Sequence, residues 1–291
     1  MIISASRRTD IPAYYSEWFS NRAKAGYCLV RNPFNPAQVS RISLLPEDVD
    51  AIVFWTKNPA PILPRLDELE RYRYYFQFTL NGYPKELEAH LPPLEQRIAV
   101  FKELSRRLGS RRVVWRYDPV IVSNRTGFAW HREMFSALCQ NLAGHTVRVM
   151  TSAVEYYKKT ERNLSALEGF VFDKAAVKSP AMEGFFAFMA ETARRAGMEV
   201  FSCAQERDYS AVGVRPGSCV DGGLINELWG LSLPVKKDPG QRKFCLCAVS
   251  RDIGSNDTCI SGCRYCYATK DHERAKERYR NHRPDSEMLV E

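Results

Sequence analysis

Short apolar runs alternate along the chain with longer segments in which apolar residues recur every three or four positions. Six runs read as strands buried on both faces: Ile2–Ser6, Ala51–Trp55, Tyr74–Leu80, Arg112–Arg116, Thr146–Ser152 and Glu199–Cys203. Each is brief and rich in β-branched or aromatic side chains, as parallel strands covered on both sides tend to be. The intervening spacing predicts amphipathic helices. Tyr15, Trp18, Phe19 and Ala23 share one face of Tyr14–Ala25, and Leu94, Ile98, Phe101, Leu104 and Leu108 share one face of Pro93–Leu108. Phe128–Leu142 and Ala181–Ala196 repeat the theme, the latter through Phe185, Phe188, Met189 and Thr192. Gly109 and Gly197 stand where helix C-caps belong, each shortly before a strand.

Strand and helix in regular alternation imply a parallel sheet with right-handed crossovers. The series fits a doubly wound sheet or an open or closed barrel, and the pattern alone does not choose. Tyr27–Leu45, with Asn32, Pro33, Asn35 and Pro36 between two apolar runs, reads as a hairpin inserted in the first crossover. No internal repeat or low-complexity segment interrupts the series. Beyond Cys203 the chain turns loop-rich, carries most of its cysteines, and ends in a highly charged helix, Asp271–Arg280, whose simplest role is a solvated face.

The 291 residues include 45% hydrophobic and 26% charged positions, ordinary for a globular protein with a full core. No linker divides them, which favours one main domain with a cysteine-rich C-terminal appendage. The net charge of +8 suits nucleic acid, an anionic cofactor or an acidic partner without choosing among them. The N-terminus turns polar after three residues, unlike a signal peptide. No apolar stretch approaches the ~20 residues needed to span a bilayer. These features predict a soluble, cytoplasmic protein, expected to be a monomer. Nine cysteines in a reducing compartment then argue for metal ligation over a disulfide framework.

Cys259, Cys263 and Cys266 place three thiols in one tight loop. Such spacing brings ligands together around a cuboidal iron–sulfur cluster while leaving one iron open. Gly262 allows the backbone to fold closely there. Zinc is the alternative occupant of short cysteine spacings. Cys203, Cys219, Cys245 and Cys247 are four further candidate ligands, enough for a second cluster or a zinc site; the other reading is that some are merely small buried hydrophobes. Cys28 and Cys139 lie within apolar patterns and read as core.

The string Cys-x-x-x-Cys-x-Tyr-Cys at 259–266 resembles the signature of the radical S-adenosylmethionine (SAM) superfamily. Its fuller form from Thr258 to Tyr267-Ala268 resembles the spore-photoproduct-lyase-like branch. The chain as a whole is similar to a bacterial domain-of-unknown-function family. Ser6-Arg7-Arg8-Thr9-Asp10-Ile11-Pro12, Phe54-Trp55-Thr56-Lys57-Asn58-Pro59 and the C-terminal string carry that likeness. The superfamily resemblance implies an open or partial (β/α)6 parallel barrel over 1–203, with 204–291 a cysteine-rich, cluster-binding region packed on it. It also implies a [4Fe–4S] cluster on Cys259, Cys263 and Cys266, with SAM on the fourth iron and Tyr265 beside the adenine. Two departures stand out: the motif follows the last strand instead of the first, and no Gly-Gly-Glu string is present to hold the SAM amine.

Functional groups of parallel α/β folds gather at strand carboxyl ends. Those positions hold Arg7, Arg8 and Asp10; Thr56, Lys57 and Asn58; Gln77 and Thr79; Arg116 and Asp118; Glu155; Gln205 and Glu206. Arg116 and Lys57 suit a carboxylate or phosphate, and Asp10 or Asp118 suits ribose hydroxyls. For any one of them a structural ion pair is an equal alternative. No catalytic residue is assignable, and the five histidines form no ligand spacing. The leading expectation is therefore a radical SAM-type enzyme generating a 5′-deoxyadenosyl radical with an external electron donor. Its substrate would be a small molecule or nucleic acid, with nucleic acid or a nucleotide favoured by the charge and the resemblance. An electron-transfer iron–sulfur protein and a zinc-bearing nucleic-acid module are the alternatives.

Overall fold

The computed structural model describes residues 1–35 and 37–290. Its strands in chain order are β1 (Ile2–Ala5), β2 (Tyr27–Arg31), β3 (Val39–Ser43), β4 (Ala51–Thr56), β5 (Tyr74–Thr79), β6 (Val113–Val120), β7 (Arg148–Ala153), β8 (Glu199–Cys203), β9 (Val214–Gly217) and β10 (Arg251–Asp252). The helices are α1 (Ile11–Tyr14), α2 (Ser16–Ala25), α3 (Leu94–Leu108), α4 (Phe128–Leu142), α5 (Lys158–Ser165), α6 (Pro180–Arg195), α7 (Gly222–Trp229) and α8 (His272–Arg280). A 3₁₀ segment, Ala60–Leu69, replaces a helix in the second crossover.

Eight strands form one parallel sheet in the order β10-β1-β4-β5-β6-β7-β8-β9, which does not close into a barrel. β2 and β3 pair antiparallel as the expected hairpin, and Pro36 of its turn lies outside the described residues. The six strands read from sequence are the six central ones. The two edge strands come from the region beyond Cys203, which thus completes the sheet at both ends.

Period-two alternation sends Ile3, Phe54, Phe76, Phe78, Trp115, Tyr117 and Val149 to one face, beneath Trp18, Phe19, Phe101, Phe135, Phe185 and Met189 of the helices. Stacking of Phe54 on Phe76 and of Trp115 on Phe135 marks the middle of this layer. Helix ends follow local chemistry: Ser179 caps α6 through the Met182 N–H, and Pro180 opens it. The segment expected as one helix from Tyr14 breaks at Tyr15, whose hydroxyl is drawn to the Thr258 carbonyl at 2.7 Å.

The opposite face is apolar toward the amino ends of the strands, with Ile2, Ala51, Val53, Tyr75, Val114 and Met150. It becomes polar toward the carboxyl ends. Residues 219–248, regular only in α7, cover it with Val220, Leu224, Ile225 and Ala248. Cys28 and Cys139 are buried in the helix-side core, as their patterns imply. Among the described residues no helix is long and apolar enough to cross a membrane.

Candidate metal centre at the carboxyl end of the sheet

The loop after β1 is sewn to the segment that leads into the cysteine triad. Asp252, the last residue of β10, accepts the Ser4 hydroxyl at 2.8 Å, the Ser6 hydroxyl at 2.7 Å and the Arg7 N–H at 2.9 Å. The Arg8 Nε and the Gly254 N–H add two more donors at 3.1 and 3.0 Å. Burial alone would raise the Asp252 carboxyl, but Arg8 and these donors outweigh it and hold the group below its ordinary range. Thr9 Oγ1 bonds the Ser255 carbonyl at 2.8 Å and lies 2.7 Å from Thr258 Oγ1. A Cβ on Gly254 would fall 2.0 Å from Ser6 Oγ, so the two loops meet with no room for a side chain.

Cys259–Cys266 follows directly. Gly262 turns it with φ +71°, and a Cβ there would meet His90 Cδ2 at 2.8 Å and Ala89 Cβ at 3.0 Å. The loop rests on the connection after β5: Cys263 bridges Glu88, His90 N–H reaches the Ser261 carbonyl at 3.1 Å, and Arg264 N–H reaches the Leu87 carbonyl at 3.0 Å. From α1, Tyr14 Oη lies 3.1 Å from Ser261 Oγ. Cys263 is buried, Cys259 and Cys266 partly so. Burial pushes the Cys259 thiol up to about 11, with Asp10 and Cys266 adding. Such thiols ionise readily only beside a cation or a metal.

Beneath the triad lies a buried ionic knot. Glu88 accepts Lys57 Nζ at 2.8 Å and Arg97 Nη1 at 3.5 Å, and the Tyr265 hydroxyl donates to the same carboxylate. Tyr265 also accepts from Lys57 Nζ at 2.7 Å and from Asn81 Nδ2 at 3.3 Å. Burial opposes the Lys57 charge, but Glu88 and then Cys263 raise its pKa above the ordinary value. Asp10 caps α1 through the Ala13 N–H at 3.0 Å and accepts the Lys57 N–H at 2.7 Å. Burial nevertheless lifts its carboxyl to about 6.

The other four cysteines converge from three segments onto the inner face. Cys203 ends β8, Cys219 follows β9, and Cys245 and Cys247 flank the exposed Leu246. Cys203 Sγ and Cys219 Sγ are 3.1 Å apart, and Cys247 interacts with both Cys219 and Cys245. Arg116 Nη1 lies 2.7 Å from Cys219 Sγ, and its Nη2 pairs with Asp118. Gln77 Nε2 and Tyr75 Oη hold the Cys219 carbonyl at 2.8 and 2.6 Å. Among the described residues no group of three or more His, Cys, Asp or Glu side chains is placed so that it could hold a metal ion as it stands.

One layer joins the two cysteine groups. Trp55 has the Arg7 and Arg116 guanidiniums over its ring at 5.6 and 5.0 Å and donates to Ser4 Oγ at 3.1 Å. Tyr267 donates to the Arg7 carbonyl at 2.9 Å.

Of the strand-end residues, Arg7, Asp10 and Lys57 meet the triad loop, while Gln77, Arg116 and Asp118 belong to the quartet side. Arg8 braces Asp252, and Asn58 caps its own turn through Ala60 N–H at 3.3 Å. Glu155 pairs with Arg242, Gln205 Oε1 accepts the Ala153 N–H at 3.3 Å, and Glu206 lies 3.9 Å from Lys178 at the surface. Glu88 and Asp252 were not among the sequence candidates, and Trp55 reads there as a strand aromatic, more often core than a base stacker. The first two sit in polar loops like any solvated acid, whereas Trp55 was legible: it alternates with Phe54 and so must face the other side of the sheet. His131 is structural, bonded to Tyr117 Oη at 2.7 Å and lowered to about 4 by burial.

A parallel α/β sheet carrying two cysteine groups at one end defines the architectural class. Within it the chain belongs to the family described as domain of unknown function DUF1848, whose model matches residues 2–268. No curated protein and no solved structure matches it.

Proposed function

We propose that the chain is a radical SAM enzyme whose Cys259, Cys263 and Cys266 hold a [4Fe–4S] cluster. The observation that carries this is the seat of the triad: its loop lies on the carboxyl-end loops of β1, β4 and β5, beside Lys57, Asp10 and Arg7. A catalytic centre of a parallel α/β fold belongs there. The donor set fits the group. Three thiols from one loop supply three iron ligands and leave one iron open, and the turn is made by a residue that tolerates no side chain. When bound and reduced, the cluster supplies the electron that cleaves SAM to methionine and a 5′-deoxyadenosyl radical.

The protein's own residues bind, orient and shield. Lys57, fixed by Glu88, presents a cation beside Cys263. Asp10 offers a carboxylate beside Cys259 that would suit ribose hydroxyls. Tyr14, Tyr15 and Tyr265 wall the triad against water. Arg8 and Asn58 hold their own loops instead of a ligand. The sequential order of the six central strands, with helices stacked on one face, supports the partial (β/α)6 barrel as the working architecture. A nucleotide or nucleic-acid substrate suits the net charge of +8. Electrons would come from an external donor.

The test is anaerobic reconstitution with iron and sulfide, followed by reduction in the presence of SAM. 5′-Deoxyadenosine should accumulate. Its absence from a protein carrying a complete, reducible cluster would overturn the proposal.

A further inference from the structure

We infer that Cys203, Cys219, Cys245 and Cys247 form a second, closed metal centre that holds one tetrahedral thiolate-bound ion of the zinc type, independent of the triad. The contrast with Cys28 and Cys139 carries the first step. Those two are also buried, but apolar side chains surround them, as suits neutral thiols used as small hydrophobes. The quartet is buried too, yet polar groups are aimed at its sulfurs. Arg116 Nη1 stands 2.7 Å from Cys219 Sγ, Val220 N–H lies 3.4 Å from Cys247 Sγ, and the Arg7 guanidinium, which bonds Ser250 Oγ at 3.4 Å, is attracted to Cys247. Buried cations directed at sulfur favour thiolates, and a metal cation among the four sulfurs would let them ionise together.

Spacing chooses the ion. Four thiolates around one divalent cation leave two negative charges, which Arg7 and Arg116 face. Sulfurs about 2.3 Å from a common tetrahedral centre lie roughly 3.8 Å from one another. The 3.1 Å between Cys203 and Cys219 is shorter than that, and nearer to it than to the wider spread that the ligands of a cuboidal cluster need. In the triad, by contrast, no sulfur is hydrogen-bonded to another among the described residues; Cys259 turns to Ser261 Oγ at 3.3 Å and Cys266 receives the Ala268 N–H at 3.4 Å.

The quartet's place explains its use. Residues 231–250 cross the inner face without a helix or a strand, and Val235, Phe244, Leu246 and Val249 of that stretch are exposed. Such a cover buries little apolar surface to hold itself in place. An ion tying it to the ends of β8 and β9 fixes it, as structural metals do in segments with too small a core.

The test uses the full-length chain with Cys259→Ala, Cys263→Ala and Cys266→Ala, so that the radical-enzyme reading plays no part. About one zinc per chain should remain after anaerobic purification. Replacing it with Co²⁺ should give the strong thiolate-to-cobalt charge-transfer bands of a tetrahedral four-sulfur site. Adding Cys219→Ser and Cys247→Ser should remove both metal and bands. A wild-type preparation guards against misfolding of the variant: a mercurial thiol reagent should release zinc in step with the modification of about four thiols. Iron with acid-labile sulfide in the triad-less chain would overturn the single-ion assignment. So would a metal-free wild-type protein, including one in which Cys203 and Cys219 are joined by a disulfide.

Discussion

The triad and the quartet of cysteines sit at the same end of one sheet but are assembled in opposite ways. The triad comes from eight consecutive residues, rests on a knot of buried charge, and keeps two of its three thiols partly exposed. The quartet is collected from three segments and sealed by Val220, Leu224, Ile225 and Ala248. A contiguous, partly open set suits a centre that must meet a ligand. A collected, sealed set suits one that holds chain segments together.

That comparison is broken or upheld most directly by removing one thiol from each side. Cys263→Ala should abolish 5′-deoxyadenosine formation, measured in anaerobic single turnover. Cys219→Ala should leave part of it while lowering Tm by about 5–10 °C. Equal loss of activity in both, at unchanged iron content, would erase the distinction. Next in size is Glu88→Gln, which strands Lys57 and Arg97 opposite a neutral amide. A loss of about 3–5 kcal/mol in urea unfolding of the metal-free chain is expected.

Asp10 sharpens the comparison through pH. Its folded pKa of about 6 lies above the ordinary carboxyl value, so its neutral form favours the folded state. That contribution is complete below about pH 4 and is lost as pH rises through 6. Asp10→Asn should therefore flatten the stability profile of the metal-free chain between pH 4 and 6, by at most about 3 kcal/mol. An unchanged difference profile would remove Asp10 from the site's electrostatics. The smallest effect expected is from Gly262→Ala, costing about 1–2 kcal/mol for the left-handed turn and lowering iron occupancy, read by elemental analysis. The quartet's metal content should not change.

The same contrast decides what was legible in the sequence. β4, β5 and β8 announce themselves because each carries apolar side chains on both faces over much of its length. β9 reads Val-Arg-Pro-Gly and β10 is two charged residues, since edge strands need little hydrophobicity and tolerate proline. The triad is visible because its ligands are neighbours in the chain. The quartet was visible only as cysteines left over, because nothing local says that the end of β8 will face Cys245. Glu88 and Asp252 stayed hidden for the same reason: their meaning lies in partners 31 and about 245 residues away.

Asp252 also sets the order in which the molecule can be finished. β1 is made some 250 residues before its outer neighbour β10, yet Ile3 and Ser4 pair with Arg251 and Asp252, and the Ser6–Thr9 loop has its partners there as well. During synthesis the open edge of β1 and its loop must wait, unpaired, for nearly the whole chain to emerge. A truncation before Asp252 would therefore leave the β1 edge of the sheet incomplete and also remove the three cysteines of the triad. The β1 edge and the seat of the triad are thus completed together, by the same late-made segment.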